Sequence, residues 1–251
     1  MSNNKNDMSD IVKGIRNDFE ACISDPSRNP TYELIRTSDL IDRIHRYLTG
    51  ELEDRGIDSS SIYMDRDLYG YPKSKSQDII VHNEDSNMIT GPEMSINVRS
   101  QLSSIGKNMD TIQERIIAES TSIHGRFPRL PTGYVFMLPK RGYDSDAKSD
   151  NVVERTEEYN LQKAIEIFSS IAGRDSVGVG DQNYDAIWLI LFDTDNNPPD
   201  IITDIRTLED EDIVTEQFAE MYESADYDIL DEELFFDTMT RKYRNNYPKL
   251  L

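Results

Sequence analysis

Asp78, inside the β-branched run Gln77-Asp78-Ile79-Ile80-Val81-His82, is the first residue whose type and setting could do chemistry. Asn97, Arg99 and Gln101 follow on alternate positions of one segment, and Glu114 and Glu119 lie beyond it in a helical stretch. Asp78 and Arg99 are 21 positions apart and Glu114 comes 15 after Arg99, enough chain for two neighbouring strands and a helix to bring them together. Two carboxylates converging with a cation at a sheet edge make a site for Mg²⁺. That hard ion takes one or two carboxylate oxygens, keeps waters and completes its shell with substrate phosphate. Bound there, it lowers the pKa of a water and offsets charge on a phosphorane-like transition state.

The elements that must position these residues follow from apolar spacing. Residues 32–52 carry Leu34, Ile35, Leu40, Ile41, Ile44, Tyr47 and Leu48 at steps of three and four, which predicts a helix with one buried face, stopped at Gly56. Short strands are predicted at 61–64 and 77–82. Residues 93–101 alternate strictly, with Met94, Ile96 and Val98 on one side and Ser95, Asn97, Arg99 and Gln101 on the other. A helix is predicted over 108–124, and another over 154–172 after an exposed loop at 141–153. Residues 133–139 and 186–192 are nearly unbroken apolar runs, as in strands buried on both faces. The order is α, three β, α, β, α, β, which is a mixed sheet flanked by helices in an α/β or α+β domain. Residues 1–30 read as a polar N-terminal extension with an amphipathic run from Ile11 to Ile23, residues 31–192 as the core, and 193–251 as a mainly helical segment packed outside it.

The charge is uneven. The net value is −21, yet residues 193–240 hold 17 acids against the single base Arg206. Residues 94–141 reverse the sign, with seven bases (Arg99, Lys107, Arg115, Arg126, Arg129, Lys140, Arg141) against three acids. A basic patch in an acidic chain points to a polyanionic ligand more directly than the total does. Low Lys (10) with high Asp (29) is what a protein needs to stay hydrated in a salt-rich cytoplasm, so a halophilic source is expected. Apolar residues at 37% and charged residues at 30% suit a globular domain, and no stretch nears the roughly 18–20 apolar residues of a membrane span. The N-terminal MSNNKNDMSD lacks a secretory layout, and the lone Cys22 excludes an intrachain disulfide and a cysteine zinc cluster. A cytoplasmic protein with no membrane partner is expected.

Residues Gly70–Val81 (GYPKSKSQDIIV), Ser95–Asn108 (SINVRSQLSSIGKN) and Glu114–Glu119 (ERIIAE) resemble the PD-(D/E)xK nuclease superfamily, and type II restriction endonucleases in particular. The resemblance spans roughly residues 31–192 and implies a core of order α-β-β-β-α-β. Two positions depart from the pattern. Asn97 stands where the acid of the (D/E)xK triplet belongs, and Arg99 stands at its lysine. Some members carry that acid on the following helix, the position Glu114 matches, with Glu119 as second candidate. Arginine cannot accept a proton but can hold water and stabilise a pentacovalent phosphate.

The resemblance thus implies a Mg²⁺-dependent, site-specific endonuclease on double-stranded DNA. Asp78 and Glu114 or Glu119 hold the metal, Arg99 stabilises the attacked phosphate, and Gln101 or Lys107 orients the water. Lys73, Lys75, Lys107, Arg126 and Arg129, with Lys140 and Arg141, grip the backbone. It further implies a homodimer on a palindromic site and a cognate DNA methyltransferase as functional partner. Two other functions remain open: a nuclease fold that binds DNA or protein without cutting, and an acidic DNA mimic acting through residues 193–240. Each residue also has a structural alternative. Asp78 can end a strand, the Asn97–Gln101 row can face solvent, and Glu114 and Glu119 can be surface charges. His45, His82 and His124 show no ligand spacing, and Asp193 and Asp195 resemble a metal site only superficially.

Overall fold

Strands that are apolar at every position need cover on both faces, and that requirement shapes the molecule. The computed structural model describes residues 8–25, 27, 39–71, 74–83, 91–143, 156–193 and 195–248. Helices α1 (Met8–Ser24) and α2 (Asp39–Asp54) precede strands β1 (Ile62–Tyr69), β2 (Ser74–Val81) and β3 (Met94–Ser100). Helix α3 (Ile105–His124), strand β4 (Thr132–Pro139) and the short strands β5 (Gly142–Tyr143) and β6 (Thr156–Glu157) come next. The chain then forms α4 (Leu161–Ser170), β7 (Ala186–Asp193), β8 (Asp200–Ile202), α5 (Ile205–Asp210), α6 (Glu216–Glu223) and α7 (Glu232–Asn246). Six strands make one sheet in the order β1-β2-β3-β4-β7-β8. Strands β3, β4 and β7 run parallel, while β1–β2, β2–β3 and β7–β8 pair antiparallel. The fold is mixed α/β.

Every residue of β4 and β7 is buried. Val135, Met137, Trp188 and Ile190 face a core completed by Val12 of α1, Ile44 and Leu48 of α2, and Phe235 and Phe236 of α7. Tyr134, Phe136, Ile187 and Leu189 face the opposite core, built from Met109 and Ile116 of α3, Ile165 and Phe168 of α4, and Phe218 of α6. The sheet is therefore the middle of three layers. Burial of each such side chain stabilises the fold by roughly 1.5–3 kcal/mol.

Several elements differ from their expected bounds. The first strand runs on to Tyr69 because it pairs with β2 along its length. The helix expected over 154–172 starts only at Leu161, where the Asn160 side chain accepts a hydrogen bond from Lys163 N at 2.8 Å and caps it. Thr156–Glu157, assigned to that helix, instead pairs with Gly142–Tyr143. Of the helix expected over 32–52, residues 32–38 lie outside the described residues, as does Lys73. The acidic segment holds three helices and edge strand β8, and Phe235, Phe236, Met239 and Tyr243 of α7 are core residues.

Gly133 of β4 lets α7 approach. A Cβ there would sit 2.9 Å from Phe235 Cζ and 3.2 Å from Ile96 Cγ1. Gly133→Ala is expected to destabilise the fold by about 1–3 kcal/mol in urea unfolding. Combined with Phe235→Leu it should cost less than the two separate substitutions together, because the smaller side chain makes room for the methyl group.

Candidate functional site

Strand β2 pairs with β3 only at Ile79↔Ile96, Ile80↔Ser95 and Val81↔Met94. On its other edge β2 pairs with β1 on either side of Asp78, at Met64↔Ile79 and Arg66↔Gln77. Asp65, between those two β1 partners, takes the left-handed backbone conformation (φ 52°). The hairpin is kinked there, and β2 parts from β3 beside Asp78. Where two strands part, backbone N–H groups lose their acceptors and need replacements. Val98 N donates to Asp78 Oδ2 at 2.7 Å, and Asp78 N donates to Asn97 Oδ1 at 3.4 Å.

Arg99 Nη1 donates to the same Asp78 Oδ2 at 2.7 Å and to the Val98 carbonyl at 2.7 Å. Burial opposes the arginine's charge, but Asp78 above all, and Glu119 as well, more than offset it and raise its pKa. Asp78 Oδ1 accepts no hydrogen bond among the described residues.

The kink also turns Gln77 onto the side of β3 that carries Ser95 and Asn97. Gln77 Oε1 accepts from Ser95 Oγ at 2.6 Å and from Asn97 Nδ2 at 3.0 Å. With its oxygen so engaged, its amide nitrogen points to the Ser76 carbonyl (3.0 Å) and to Glu119 Oε1 (3.4 Å). Glu119 is only 3% exposed. Burial raises its pKa and the nearby Asp78 adds to the rise, while Arg99, Lys75 and Arg115 pull the other way. From the opposite layer, buried His45 of α2 also responds to Asp78. Burial lowers its pKa against the pull of Asp78, Asp65 and Asp42, and its Nε2 has no hydrogen-bond partner among the described residues.

The structure therefore gathers Asp78, Arg99 and Glu119, with Lys75 half-buried nearby. Glu114 is exposed on α3. Five residues along an α-helix turn through about 140°, so Glu114 and Glu119 face different ways. Gln101 donates to the Ser103 carbonyl at 2.5 Å and serves the turn after β3. Lys107, Arg126 and Arg129 are exposed on α3 and the turn that follows it. Lys140 cannot grip phosphate, because its buried ammonium holds Asp193 (2.8 Å), Glu211 (2.8 Å) and Asp195 (3.1 Å). That ion pairing also accounts for Asp193 and Asp195.

Gln77, Ser95, Arg115 and His45 were not singled out as site residues in the sequence. Glu119, however, carried a readable signal. It lies three residues after Ile116 and four before Ile123, both fully buried, and so falls on the apolar stripe of α3. An acid on a buried stripe is the informative acid of a helix.

Because the folded pKa of Glu119 is raised above the ordinary 4.5, folding favours its protonated form. Its stabilising contribution is present below about 4.5 and is lost as pH rises through the folded pKa. Glu119→Gln keeps the shape and removes the charge. Its urea midpoint is expected above the wild type at neutral pH, with the difference closing as pH falls toward 4.5. A lower midpoint at neutral pH would mean that the surrounding cations outweigh burial. No protein-family model, curated protein or solved structure matches the chain, so the functional reading rests on this geometry.

Proposed function

We propose that the protein is a Mg²⁺-dependent endonuclease that hydrolyses phosphodiester bonds in double-stranded DNA, of the restriction type. The observation that carries this reading is the Asp78–Arg99 ion pair at 2.7 Å where β2 and β3 part, with buried Glu119 near enough for its charge to be felt by both and tied to β2 through Gln77. The order α2-β1-β2-β3-α3-β4, with Asp78 on the second strand and Arg99 on the third, supports it.

The donor set fits a hard divalent ion. Among the described residues no three His, Cys, Asp or Glu side chains gather, but Mg²⁺ takes only one or two carboxylates and fills its shell with water. Asp78 and Glu119 would hold it. A cation is also what a desolvated glutamate beside a second carboxylate lacks. When bound, the ion lowers the pKa of a water and offsets charge on the pentacovalent phosphate.

The chain's own groups supply the rest. Arg99 directs a charge-assisted donor at the attacked phosphate and, having no lone pair, takes no proton. Lys75, Arg115, Lys107, Arg126 and Arg129 attract the backbone, a contribution that weakens with salt. The reading includes a homodimer on a palindromic site, a companion methyltransferase that protects host DNA, and action in a salt-rich cytoplasm. No helix among the described residues is long and apolar enough to cross a membrane.

A second reading, a DNA-binding protein that does not cut, is favoured by one observation: Arg99 already occupies Asp78 Oδ2. Plasmid digestion with Mg²⁺ and binding in Ca²⁺, measured side by side, separate the two. Asp78→Ala and Glu119→Gln are each expected to lose cutting by roughly 10²-fold or more while still binding DNA. Glu114→Ala should cut like the wild type. Wild-type cutting by Asp78→Ala would sink the proposal, and a wild type that binds but leaves plasmid intact would establish the second reading.

A further inference from the structure

Beside the kinked hairpin lies a cleft of about 630 Å³ that the proposed chemistry does not use. Its walls are the rings of Tyr63 and Tyr69 from β1 and Phe127 from the turn after α3, with Arg66 at the rim and Ile80 of β2 within. Tyr69 is exposed and its ring open to a ligand, while Tyr63 is half-buried. The Arg66 guanidinium stacks on the Tyr63 wall at 5.3 Å from its ring centroid, and Asp67 and His82 also line the cleft; Arg126, outside the lining, lies 5.4 Å from the Phe127 ring centroid.

Aromatic faces call for a flat π-system, and the exposed Arg66 guanidinium calls for an anion attached to it. The geometry points to a nucleotide: a nucleobase stacked against the aromatic walls, with its phosphate drawn to Arg66. The cleft adjoins the candidate site along two elements. Ile80 follows Asp78 by two residues on β2, about 7 Å at the rise of a strand. On α3, Ile123 sits one turn beyond Glu119 and packs with Leu68, Phe127 and Leu130 beneath the cleft. A base turned out of a strand held at Asp78 would reach it. The inference rests on the proposed action on DNA only for the source of the nucleotide, not for its chemistry.

Gly91 defines one wall. It takes φ +72°, and a Cβ there would meet the Phe127 ring at 2.5 Å, so an added methyl group would drive the ring into the cleft. The test is saturation-transfer NMR on the full chain, in Ca²⁺, with dAMP and dTMP against deoxyribose 5-phosphate. Signal transfer to base protons is expected for both nucleotides and none to the base-free sugar phosphate. Tyr69→Ala and Arg66→Ala, both at exposed positions, should each bind about tenfold more weakly, as loss of one stacking partner does elsewhere. Gly91→Ala should bind more weakly still.

Displacement of the nucleotide by an oligonucleotide but not by its abasic counterpart identifies DNA as the source. Displacement by neither identifies a free nucleotide, with the same base chemistry. Equal binding of deoxyribose 5-phosphate, or wild-type affinity in both Tyr69→Ala and Arg66→Ala, overturns the inference. Plasmid cutting measured in parallel keeps the two proposals apart. A wild type that cuts without binding nucleotide sinks the cleft alone, and one that binds nucleotide without cutting sinks the nuclease alone.

Discussion

One carboxylate oxygen, Asp78 Oδ2, holds the region together. It accepts the Val98 N–H and the Arg99 guanidinium, both at 2.7 Å, at the point where two strands separate. A buried N–H left without an acceptor costs about 1–3 kcal/mol, so a fork inside a covered sheet requires a side chain that can stand in for the missing strand. Aspartate does this with a short reach and a fixed direction. Because that acceptor is charged, it also fixes Arg99, whose side chain stays 30% exposed while Asp78 itself is buried. The left-handed Asp65 opposite is the backbone's share of the same fork.

Three charged clusters in this sheet differ in how far their charge is matched. Asp185 is fully matched: Lys242 Nζ lies at 2.7 Å and Arg174 Nε at 3.3 Å from Oδ1, and Thr132 N donates to Oδ2 at 2.8 Å. Lys140 is matched in the opposite sense, by three carboxylates. Both arrangements satisfy buried charge with close partners and tie the ends of β4 and β7 to their surroundings. Glu119 has no such partner. Its contact with Gln77 is long, 3.4 Å, and no cation among the described residues forms an ion pair with it. A charge that folding leaves under-compensated persists at a cost, and a ligand that completes it gains what the protein alone does not supply.

The sequence made much of this legible. Strands β4 and β7 were readable as unbroken apolar runs, and β3 as a strict alternation whose polar side is buried at Ser95 and Asn97. Helix α3 is readable too, but distance along the chain from Arg99 favours Glu114, whereas phase on the helix favours Glu119. Spacing along the chain says whether two groups can meet, and phase says whether they face one another. Gln77 was not recoverable by alternation. A regular strand puts neighbours on opposite faces, and only the kink at Asp65 turns Gln77 toward Ser95 and Asn97. The depth of the acidic segment is hidden by its charge, since the anchors Phe235, Phe236 and Met239 of α7 sit in a stretch, residues 193–240, that holds 17 acids.

That kink has a second consequence, because β2 carries both features of this surface. On one side of Asp78 the strand is peeled away and turns Gln77 toward Glu119. On the other it stays paired with β3 and offers Ile80 to the aromatic cleft. Helix α3 repeats the arrangement, with Glu119 and Ile123 one turn apart on the same stripe. The carboxylate site and the cleft are therefore positioned by the same two elements and the same backbone event. A change at Asp65 that straightened the hairpin would restore pairing at Asp78, remove the demand that the carboxylate answers, and displace the wall of the cleft together with it.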